Sequence, residues 1–298
     1  MLKAAACPSA VNMKGKLKKK SEFSRILKQL SYNKLAMFGA VVFVLELLLV
    51  LLAPIIAPYD YTEMDMTAVA SGPSLAHLCG TDDLGRDIFS RLLFGGRYSL
   101  TMGIFSISIS VMFGVIIGSI AGYFGGQVDN VIMRVLDVIQ SLPGMLLTIV
   151  ISAVLGAGYV NTILALSVNG IPGQARMLRA QMLRVRDSEY IEAAQSINCS
   201  KFRIIVKHLI PNSFSPLIVQ ATMGVANMII MAAGLSFIGL GVQPPAPEWG
   251  AMLSGARQFI RSSPHMVIFP GLAIAITILA LNLMGDGLRD ALDPKLKR

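Results

Sequence analysis

The sequence predicts an all-α integral membrane protein with six transmembrane helices, and three observations support this fold class. The first is composition: 54% of the 298 residues are hydrophobic and 14% are charged, whereas soluble domains are about one-quarter charged. The second is a set of apolar segments, each close to the roughly 20 residues that cross a bilayer as a helix. The third is the cluster of basic residues beside the first segment. The segments cover approximately 35–57, 98–122, 131–157, 160–183, 213–240 and 264–287.

The distribution of charge predicts the topology. Residues 1–34 contain nine lysines and arginines and one acidic residue, so the positive-inside rule places them in the cytoplasm. Six spans put both termini, and the loop at 184–212, on that side. The loop at 58–97 holds six acidic residues and three arginines, as expected outside. Because the net charge of +9 has this membrane role, and no aromatic platform for bases is evident, nucleic-acid binding is not expected.

The same pattern divides the chain into four regions. Residues 1–34 form a basic cytoplasmic N-terminus, and residues 35–97 contain the first span and its extracytoplasmic loop. Residues 98–287 form a five-helix core that includes the loop at 184–212, and residues 288–298 form a cytoplasmic tail.

Within the N-terminus, an amphipathic helix is expected ahead of the first span. Its apolar residues follow the i, i+3, i+4, i+7 spacing of one helical face, so the helix would lie along the inner leaflet. The alternative is the cytoplasmic end of a tilted first span. The apolar residues are Phe23, Ile26, Leu27 and Leu30.

Small residues recur at every fourth position of the second span. In lipid, close backbone approach drives helix pairing, so this stripe should face another helix. Packing within the chain is favoured over a subunit interface. The stripe consists of Ser106, Ser110, Gly114, Gly118 and Gly122.

Polar residues inside the predicted spans are candidates for a translocation path. Asp137 lies about two turns into the third span; it either lines the path or pairs with Arg134 on the same face. Asn169 to Gly173, with Pro172 between them, predict a break in the fourth span whose freed backbone groups need a packed or water-lined setting. Glu46, midway along the first span, is expected to face a partner or to be protonated, without an assigned role.

The loop after the fourth span predicts a docking element. Asp187 or Ser188 can cap a helix that contains Glu192 in its first turns. Ala193 and Ala194 leave one face nearly bare, so that another surface can approach closely. The loop has about thirty residues, whereas connections in bundles usually have about 2–8.

The end of this loop carries further signals. Asn198 lies where the helix should end, and Asn often replaces Gly in the left-handed position there. Pro211 is expected to start the fifth span, where its missing N–H is harmless. A second amphipathic helix is predicted between them, with its apolar face on the bundle and formed by Phe202, Ile205, Val206 and Leu209.

The EAA of residues 192–194, the break near Asn198 and the Pro-Asn of 211–212 resemble the EAA loop of importer permeases in the ATP-binding cassette (ABC) superfamily. The chain after residue 21 resembles the C-type permease of dipeptide, oligopeptide and nickel importers. Relatives usually have Gly where this chain has Asn198. The matching motifs are GTDDLGRDIFSRLLFGGRYSL (80–100), AGYFGG (121–126), LSFIGLGVQPPAPEWGAML (235–253), FPGLAI (269–274) and NLMGDGLRDALDPKLKR (282–298).

This resemblance implies a type I importer permease fold in a bacterial inner membrane, and a mechanism. The EAA loop would form a coupling helix seated in a partner ATPase, with contacts from Tyr190, Glu192, Ala193, Ala194, Asn198 and Pro211. The sequence contains no GxxxxGK[ST], so ATP and Mg²⁺ are expected on two partner ATPase subunits and no cofactor or catalytic residue on this chain. A homologous second permease subunit and an extracytoplasmic substrate-binding protein complete the implied complex.

The extracytoplasmic loop has two alternative interpretations. Thr81 can cap a helix whose first turn is acidic, and the cluster would either contact the binding protein or satisfy itself. The residues concerned are Asp82, Asp83, Arg86 and Asp87. Trp249 is expected to be an interface anchor. His77 and Cys79 lack further ligands, so no metal site is expected.

The expected cargo is a di- or oligopeptide, with nickel, a metal chelate or glutathione as alternatives. A secondary transporter or channel is the different-class alternative. Such proteins often show two related halves or paired broken helices, and this sequence shows one broken segment and no internal repeat.

Overall fold

The structure is a computed structural model and describes residues 32–292. Over this range the chain is helical, and its one pairing of extended backbone is the bridge between Thr81 and Asp87. The amphipathic helix predicted over 23–30 and most of the predicted tail lie outside the described residues. The helices are α1 (Lys34–Leu51), α2 (Ala53–Ile56), α3 (Ile88–Phe124), α4 (Gly126–Gln140), α5 (Gly144–Leu155), α6 (Tyr159–Arg186), α7 (Glu189–Ser196), α8 (Lys201–Ile204), α9 (Ile210–Ser213), α10 (Ser215–Phe237), α11 (Trp249–Ala256) and α12 (His265–Leu292).

Within residues 32–292, four helices are long and apolar enough to cross a membrane, namely α1, α3, α10 and α12. A fifth span results if α4 and α5 are counted as one, but they meet at 83°. The third predicted span is therefore not straight, because Pro143 follows the end of α4 and cannot continue its hydrogen bonding. The fourth predicted span forms α6, which is long but too polar to meet the same criterion. The count of six spans remains a prediction.

Helices α3 and α6 form the most extensive contact in the described bundle. The small-residue stripe of α3 faces α6, as expected for packing within the chain. A Cβ on Gly114 would lie 2.5 Å from the Cβ of Gln174. The Ser106 hydroxyl donates to the Ile163 carbonyl at 3.3 Å, and the Ser110 hydroxyl donates to the Ser167 carbonyl at 2.9 Å. These hydroxyl bonds satisfy polar groups where lipid offers no partner.

The predicted break at 169–173 is wrong, because α6 runs without interruption from Tyr159 to Arg186 with Pro172 inside it. Tight packing accounts for the continuity. Pro172 is buried, and a Cβ on Gly170 would stand 2.4 Å from the Ser110 hydroxyl oxygen. Helix α3 therefore holds the Pro-containing turn in place, and neighbouring helices commonly stabilise prolines in membrane helices in this way.

The remaining long helices pack around α3 and α6. Gly39 of α1 lies against α12, where an added Cβ would meet the Ala280 carbonyl oxygen at 2.7 Å. The buried side chain of Trp249 packs against Val50 and Leu100, and its indole N–H donates to the Leu92 carbonyl at 3.0 Å. Trp249 is thus a core residue, and its expected role as a membrane-interface anchor is wrong. The glycines of α3 leave the room that this indole occupies.

Two ends of the bundle can be distinguished. Helices α6 and α10 are joined at one end by residues 187–214, called the connector, and this end is called the connector end. Residues 57–87 and 238–264 lie at the other end, called the loop end. Helix α12 follows residues 238–264 of the loop end, and it therefore ends at the connector end. Asn33, ahead of α1, donates to Asp290 near the end of α12 at 3.3 Å, so α1 begins at the connector end too.

Candidate functional site

The connector begins with the short helix α7, whose start differs in detail from the prediction. Ser188 is the N-cap residue, but its hydroxyl donates to the Val185 carbonyl at 2.6 Å instead of capping a free N–H. The Ser188 backbone carbonyl accepts from Ile191 and Glu192. Glu189 and Glu192 lie in the first turn, where negative charge suits the helix dipole.

One face of α7 is fixed to the bundle and the other is free. Ile191 and Ala194 are buried, and they contact Met182 and Leu209 in one apolar cluster. Tyr190, Glu192 and Ala193 are exposed on the opposite side. The expectation that Ala194 lines the docking face is therefore wrong: in a helix of 3.6 residues per turn, its neighbour Ala193 faces away from the cluster and Ala194 faces into it.

The end of α7 confirms the prediction of a left-handed residue. Asn198 has φ +56°, the region that Gly and Asn adopt most readily. The Asn198 N–H donates to the Gln195 carbonyl at 2.9 Å, and the Cys199 N–H donates to the Ala194 carbonyl at 3.1 Å. These two bonds form a complete Schellman motif, which ends the helix and reverses the chain. Asn198 itself is exposed.

The second half of the connector has a different register from the predicted one. A π-helical turn, Ile205–Leu209, interrupts the α pattern. It brings Ile204 and Leu209, five residues apart, into the buried cluster, whereas Phe202 is 76% exposed and Val206 is 43% exposed. The predicted apolar face is therefore correct for Leu209 and for Ile205, which packs against the cluster. It is wrong for Phe202 and Val206, because a π turn shifts the buried positions from the i, i+3, i+4 pattern.

Pro211 also differs from its predicted role. It lies in the single turn α9, and the next long helix begins at Ser215 with Pro216 in its first turn. Pro211 remains exposed. Together with Tyr190, Glu192, Ala193 and Asn198, it is one of the five predicted coupling residues at the surface of the connector.

A cavity of about 860 Å³ opens among α3, α4, α6, α10 and α12. Asn169 lies on its wall, as do the amides of Gln174 and Gln220. The side-chain oxygens of both glutamines are buried without a hydrogen-bond partner among the described residues. The arginines Arg184 and Arg289 line the same cavity.

The other predicted path residues lie elsewhere. Pro172 is buried and is not on the cavity wall. Asp137 is half exposed and accepts from Arg176 at 2.7 Å; Arg134 lies 3.8 Å away. The main partner of Asp137 is therefore Arg176 of α6. The pair of Asp137 with Arg134, which was the alternative considered from the sequence, is the longer contact. Arg179 binds Asp129 in the same manner, so two ion pairs hold α4 against α6.

At the loop end, the acidic motif is folded inward. Thr81 caps no helix: its hydroxyl donates to the Ala68 carbonyl, and it is Asp87 that caps α3 by accepting from the Ser90 N–H at 2.7 Å. Asp82 accepts from the Arg86 side chain at 2.7 Å. The polar groups of this motif therefore satisfy one another within the loop, as one of the two interpretations expected. The ion pair joins Arg86 to Asp82, however, and not to Asp87. Among the four predicted docking residues, Asp82 and Asp87 are buried, and Asp83 and Arg86 are partly exposed.

His77 and Cys79 are also part of this folded loop. The His77 Nδ1 lies 3.0 Å from Asp87 Oδ1, and the His77 ring packs on Tyr59 with 4.9 Å between ring centroids. Burial, and secondarily the charge of Asp87, raises the pKa of the Cys79 thiol to about 11. No group of three or more His, Cys, Asp or Glu that could hold a metal occurs within residues 32–292.

Glu46 meets α12 inside the bundle. One carboxylate oxygen accepts from the Thr277 hydroxyl, and the other, Oε2, is buried without a partner among the described residues. The contact fixes the register between α1 and α12.

Sequence reasoning missed Arg184, Arg289, Gln174 and Gln220. No local signal marked them, because arginines at the ends of spans are common. They lie on α6, α10 and α12, and only the packing of these helices brings them to one cavity.

Comparison with known proteins gives consistent results. The family model "binding-protein-dependent transport system inner membrane component" matches residues 114–298. The model "N-terminal TM domain of oligopeptide transport permease C" matches residues 21–73.

Relatives match over most of their length. The chain is 43% identical to the dipeptide transport system permease protein DppC of Alkalihalophilus pseudofirmus, over 93% of this chain and 91% of the relative. It is 48% identical to the glutathione transport system permease protein GsiD of Pectobacterium atrosepticum, over 82% of each chain. It is 47% identical to GsiD of Escherichia coli O157:H7, over 88% of this chain and 87% of that one.

Solved structures share the fold at low identity. Two inward-facing crystal forms of the MetNI methionine ABC transporter match with TM-scores of 0.56 and 0.55, each at 18% identity. The first covers 69% of this chain and 98% of the other, and the second covers 68% and 96%.

Proposed function

The chain belongs to the inner membrane components of binding-protein-dependent transport systems, and we propose that it forms half of the path by which an ATP-driven importer takes up di- or oligopeptides. The similarity to dipeptide and glutathione permeases over more than four-fifths of this chain carries the proposal. Glutathione is itself a tripeptide, so both kinds of relative point to peptide cargo. Nickel or a metal chelate is the alternative cargo.

The connector is the element that couples transport to ATP. Its inner face is anchored by Ile191 and Ala194, so a force applied to the outer face of α7 reaches α6 and α10 without being absorbed by a flexible loop. Tyr190, Glu192 and Ala193 supply the outer face. A partner ATPase that moves on binding and hydrolysing ATP would shift α7, and with it the balance between the two conformations of the helix bundle.

The remaining subunits follow from the same proposal. ATP and Mg²⁺ bind two partner ATPase subunits, and this chain contributes no catalytic residue. A homologous permease subunit completes the path, because the cavity of this chain is open on one side. The connector end faces the cytoplasm with both termini, and the loop end faces outward toward a substrate-binding protein, for which Asp83 and Arg86 are the accessible members of the acidic motif.

Reconstitution of the complete complex tests the proposal. Proteoliposomes with both permease subunits, both ATPases and the binding protein should accumulate a labelled dipeptide only when ATP is enclosed with the ATPases. Accumulation by this chain without the ATPases would favour a secondary transporter or channel and contradict the proposal. Absence of peptide uptake by the complete complex, with uptake of nickel instead, would reject the cargo.

A further inference from the structure

The cavity of about 860 Å³ has an unusual set of charged groups. Among residues 32–292, its wall contains two arginines, Arg184 and Arg289, and no Asp, Glu, His or Cys. The rest of the wall is uncharged and consists of amides, methionines, small residues and aliphatic side chains. The described part of the wall therefore carries positive charge at one end and no acidic side chain.

The two arginines have no acidic partner among the described residues. Two acids of α4 are already engaged, because Asp129 pairs with Arg179 and Asp137 pairs with Arg176. Both guanidinium groups belong to residues near the ends of α6 and α12, at the connector end. A guanidinium presents several N–H donors in a planar fork that fits a carboxylate.

Amides extend from the arginines into the bundle. Gln174 and Gln220 line the cavity, and each has a side-chain oxygen without a hydrogen-bond partner within residues 32–292. Gln174 is 4% exposed, and an unused acceptor there is costly. Both oxygens are enclosed by protein atoms, so the remainder of each amide faces the cavity. The backbone N–H and C=O groups of a peptide are suitable partners for an uncharged amide.

Methionines complete the wall: Met177, Met223, Met228 and Met231. Thioether side chains are flexible and adapt to apolar groups of different shape. Such a wall tolerates varied peptide side chains, whereas the arginines and amides meet groups that all peptides share.

We propose that Arg184 and Arg289 form a carboxylate-binding subsite at the connector end of the cavity, so that the path prefers peptides with a free C-terminal carboxylate to cations. Gln174 and Gln220 supply uncharged polar side chains to the wall of the same cavity. This inference rests on the proposed function, since it assigns the class of cargo to the same path.

A metal cation is disfavoured by the same geometry. Nickel and similar ions bind imidazole, carboxylate or thiolate groups, and the cavity wall formed by the described residues has none of these. The two arginines would also repel a bare cation. The sulfur of Met231 is not free to bind a metal either, because it already accepts from the Asn169 amide, with 3.5 Å between nitrogen and sulfur.

The test compares two probes that differ in one group: dialanine and dialanine carboxamide. Uptake of each is measured with the complete reconstituted complex, and the ratio of the two uptake efficiencies is recorded. The same binding protein serves every variant, so its own preference cancels when ratios are compared. Any change in the ratio therefore originates in this chain.

Replacing both arginines in Arg184→Gln/Arg289→Gln should lower the preference for the free carboxylate about tenfold, the size of a lost charge-assisted hydrogen bond. Single substitutions should give intermediate ratios, and they supply the ratio if the double variant transports neither probe. Arg184→Lys should retain part of the preference, because charge remains. Arg134→Gln is the matched control: its side chain is 87% exposed and does not line the cavity.

An unchanged ratio in the single and double variants would overturn the carboxylate subsite while leaving peptide transport intact. Nickel uptake by the wild-type complex would overturn the preference against cations. If the wild-type complex takes up neither dipeptide, it is the proposed function that fails. The three failures are therefore distinguishable.

Discussion

Gly118 of α3 faces the backbone of Ala175 of α6 so closely that a Cβ on Gly118 would stand 2.5 Å from the Ala175 carbonyl oxygen. Backbone atoms cannot move aside as a flexible side chain can. The contact therefore requires glycine, and it lies in the middle of the largest helix–helix contact of the described bundle.

Gly118→Leu should separate α3 from α6. Overpacking of a tight core lowers the free energy of unfolding by about 1–3 kcal/mol. Because the contact is with backbone, we expect a loss at the upper end of this range. Thermal unfolding in detergent should show a lower midpoint and less folded protein. Gly271→Leu on α12 is the control, because nothing lies within 4 Å of its added Cβ; equal loss in both variants would contradict the assigned contact.

Ala193 and Ala194 offer a second matched pair. Ala193→Trp should leave the chain folded and inserted but uncouple ATP hydrolysis from peptide uptake, because Ala193 is exposed on the outer face of α7. Ala194→Trp should destabilise the connector itself, because Ala194 is buried. Detergent stability, ATPase rate and uptake, measured on the same preparations, separate the two effects. Normal coupling in Ala193→Trp would count heavily against docking at this face.

Asn198 should tolerate glycine and reject a β-branched residue. Asn198→Gly keeps the left-handed conformation at φ +56° available, so stability should change by a few tenths of a kcal/mol. Asn198→Val should cost about 1–2 kcal/mol, because its Cβ clashes with the following carbonyl in this region. Hydrogen exchange of the Cys199 amide, which closes the Schellman motif, reports the difference; equal exchange in the two variants would argue against the motif.

Gln174→Leu should raise stability and lower uptake. Removing a buried oxygen that has no partner relieves a cost of about 1–3 kcal/mol, provided that leucine fits the space. A residue with only a packing role would give unchanged uptake. Gln127→Leu, at an exposed position of α4, should change neither quantity. Unfolding midpoints and dipeptide uptake are measured for both variants.

Cys79 should behave as a protected thiol. Its pKa is raised to about 11 by burial, whereas the pKa of an unfolded cysteine is about 8.5. The group therefore costs no stability below pH about 8.5, and stability falls as pH rises from there toward the folded value. Alkylation of the Cys79 peptide, followed by mass spectrometry, should be slow at pH 8 in the native protein and fast after denaturation. Rapid native labelling would show that the loop end is open.

The sequence predicted some elements of the site well. The left-handed end of α7 follows from Asn198 and its local hydrogen bonds, so a short segment contained the information. The packing of the α3 stripe within the chain was also predicted, because Gly and Ser in lipid favour close helix contact. These features depend on neighbours in sequence or on a strong compositional signal.

Other expectations failed where a distant contact decided the outcome. Pro172 and its neighbouring glycines indicated a break, but α3 supports that turn and α6 continues. Phe202 and Val206 matched an α-helical face, but the π turn leaves them exposed and brings Ile204 to the core beside Leu209. Thr81 had the properties of a helix cap, but the folded loop uses its hydroxyl elsewhere and Asp87 caps α3.

By itself, the sequence determined the membrane class, the family and the position of the short helix for which a coupling role is proposed, because apolar length, charge bias and local motifs are properties of the chain before it folds. Only the tertiary structure decided which alanine of the EAA segment faces outward and which residues share the cavity. Arg184 and Arg289 are far apart in sequence, and neither carries a local signal of carboxylate binding. They become one candidate site because α6 and α12 end at the same end of the bundle, and helix packing alone sets that proximity.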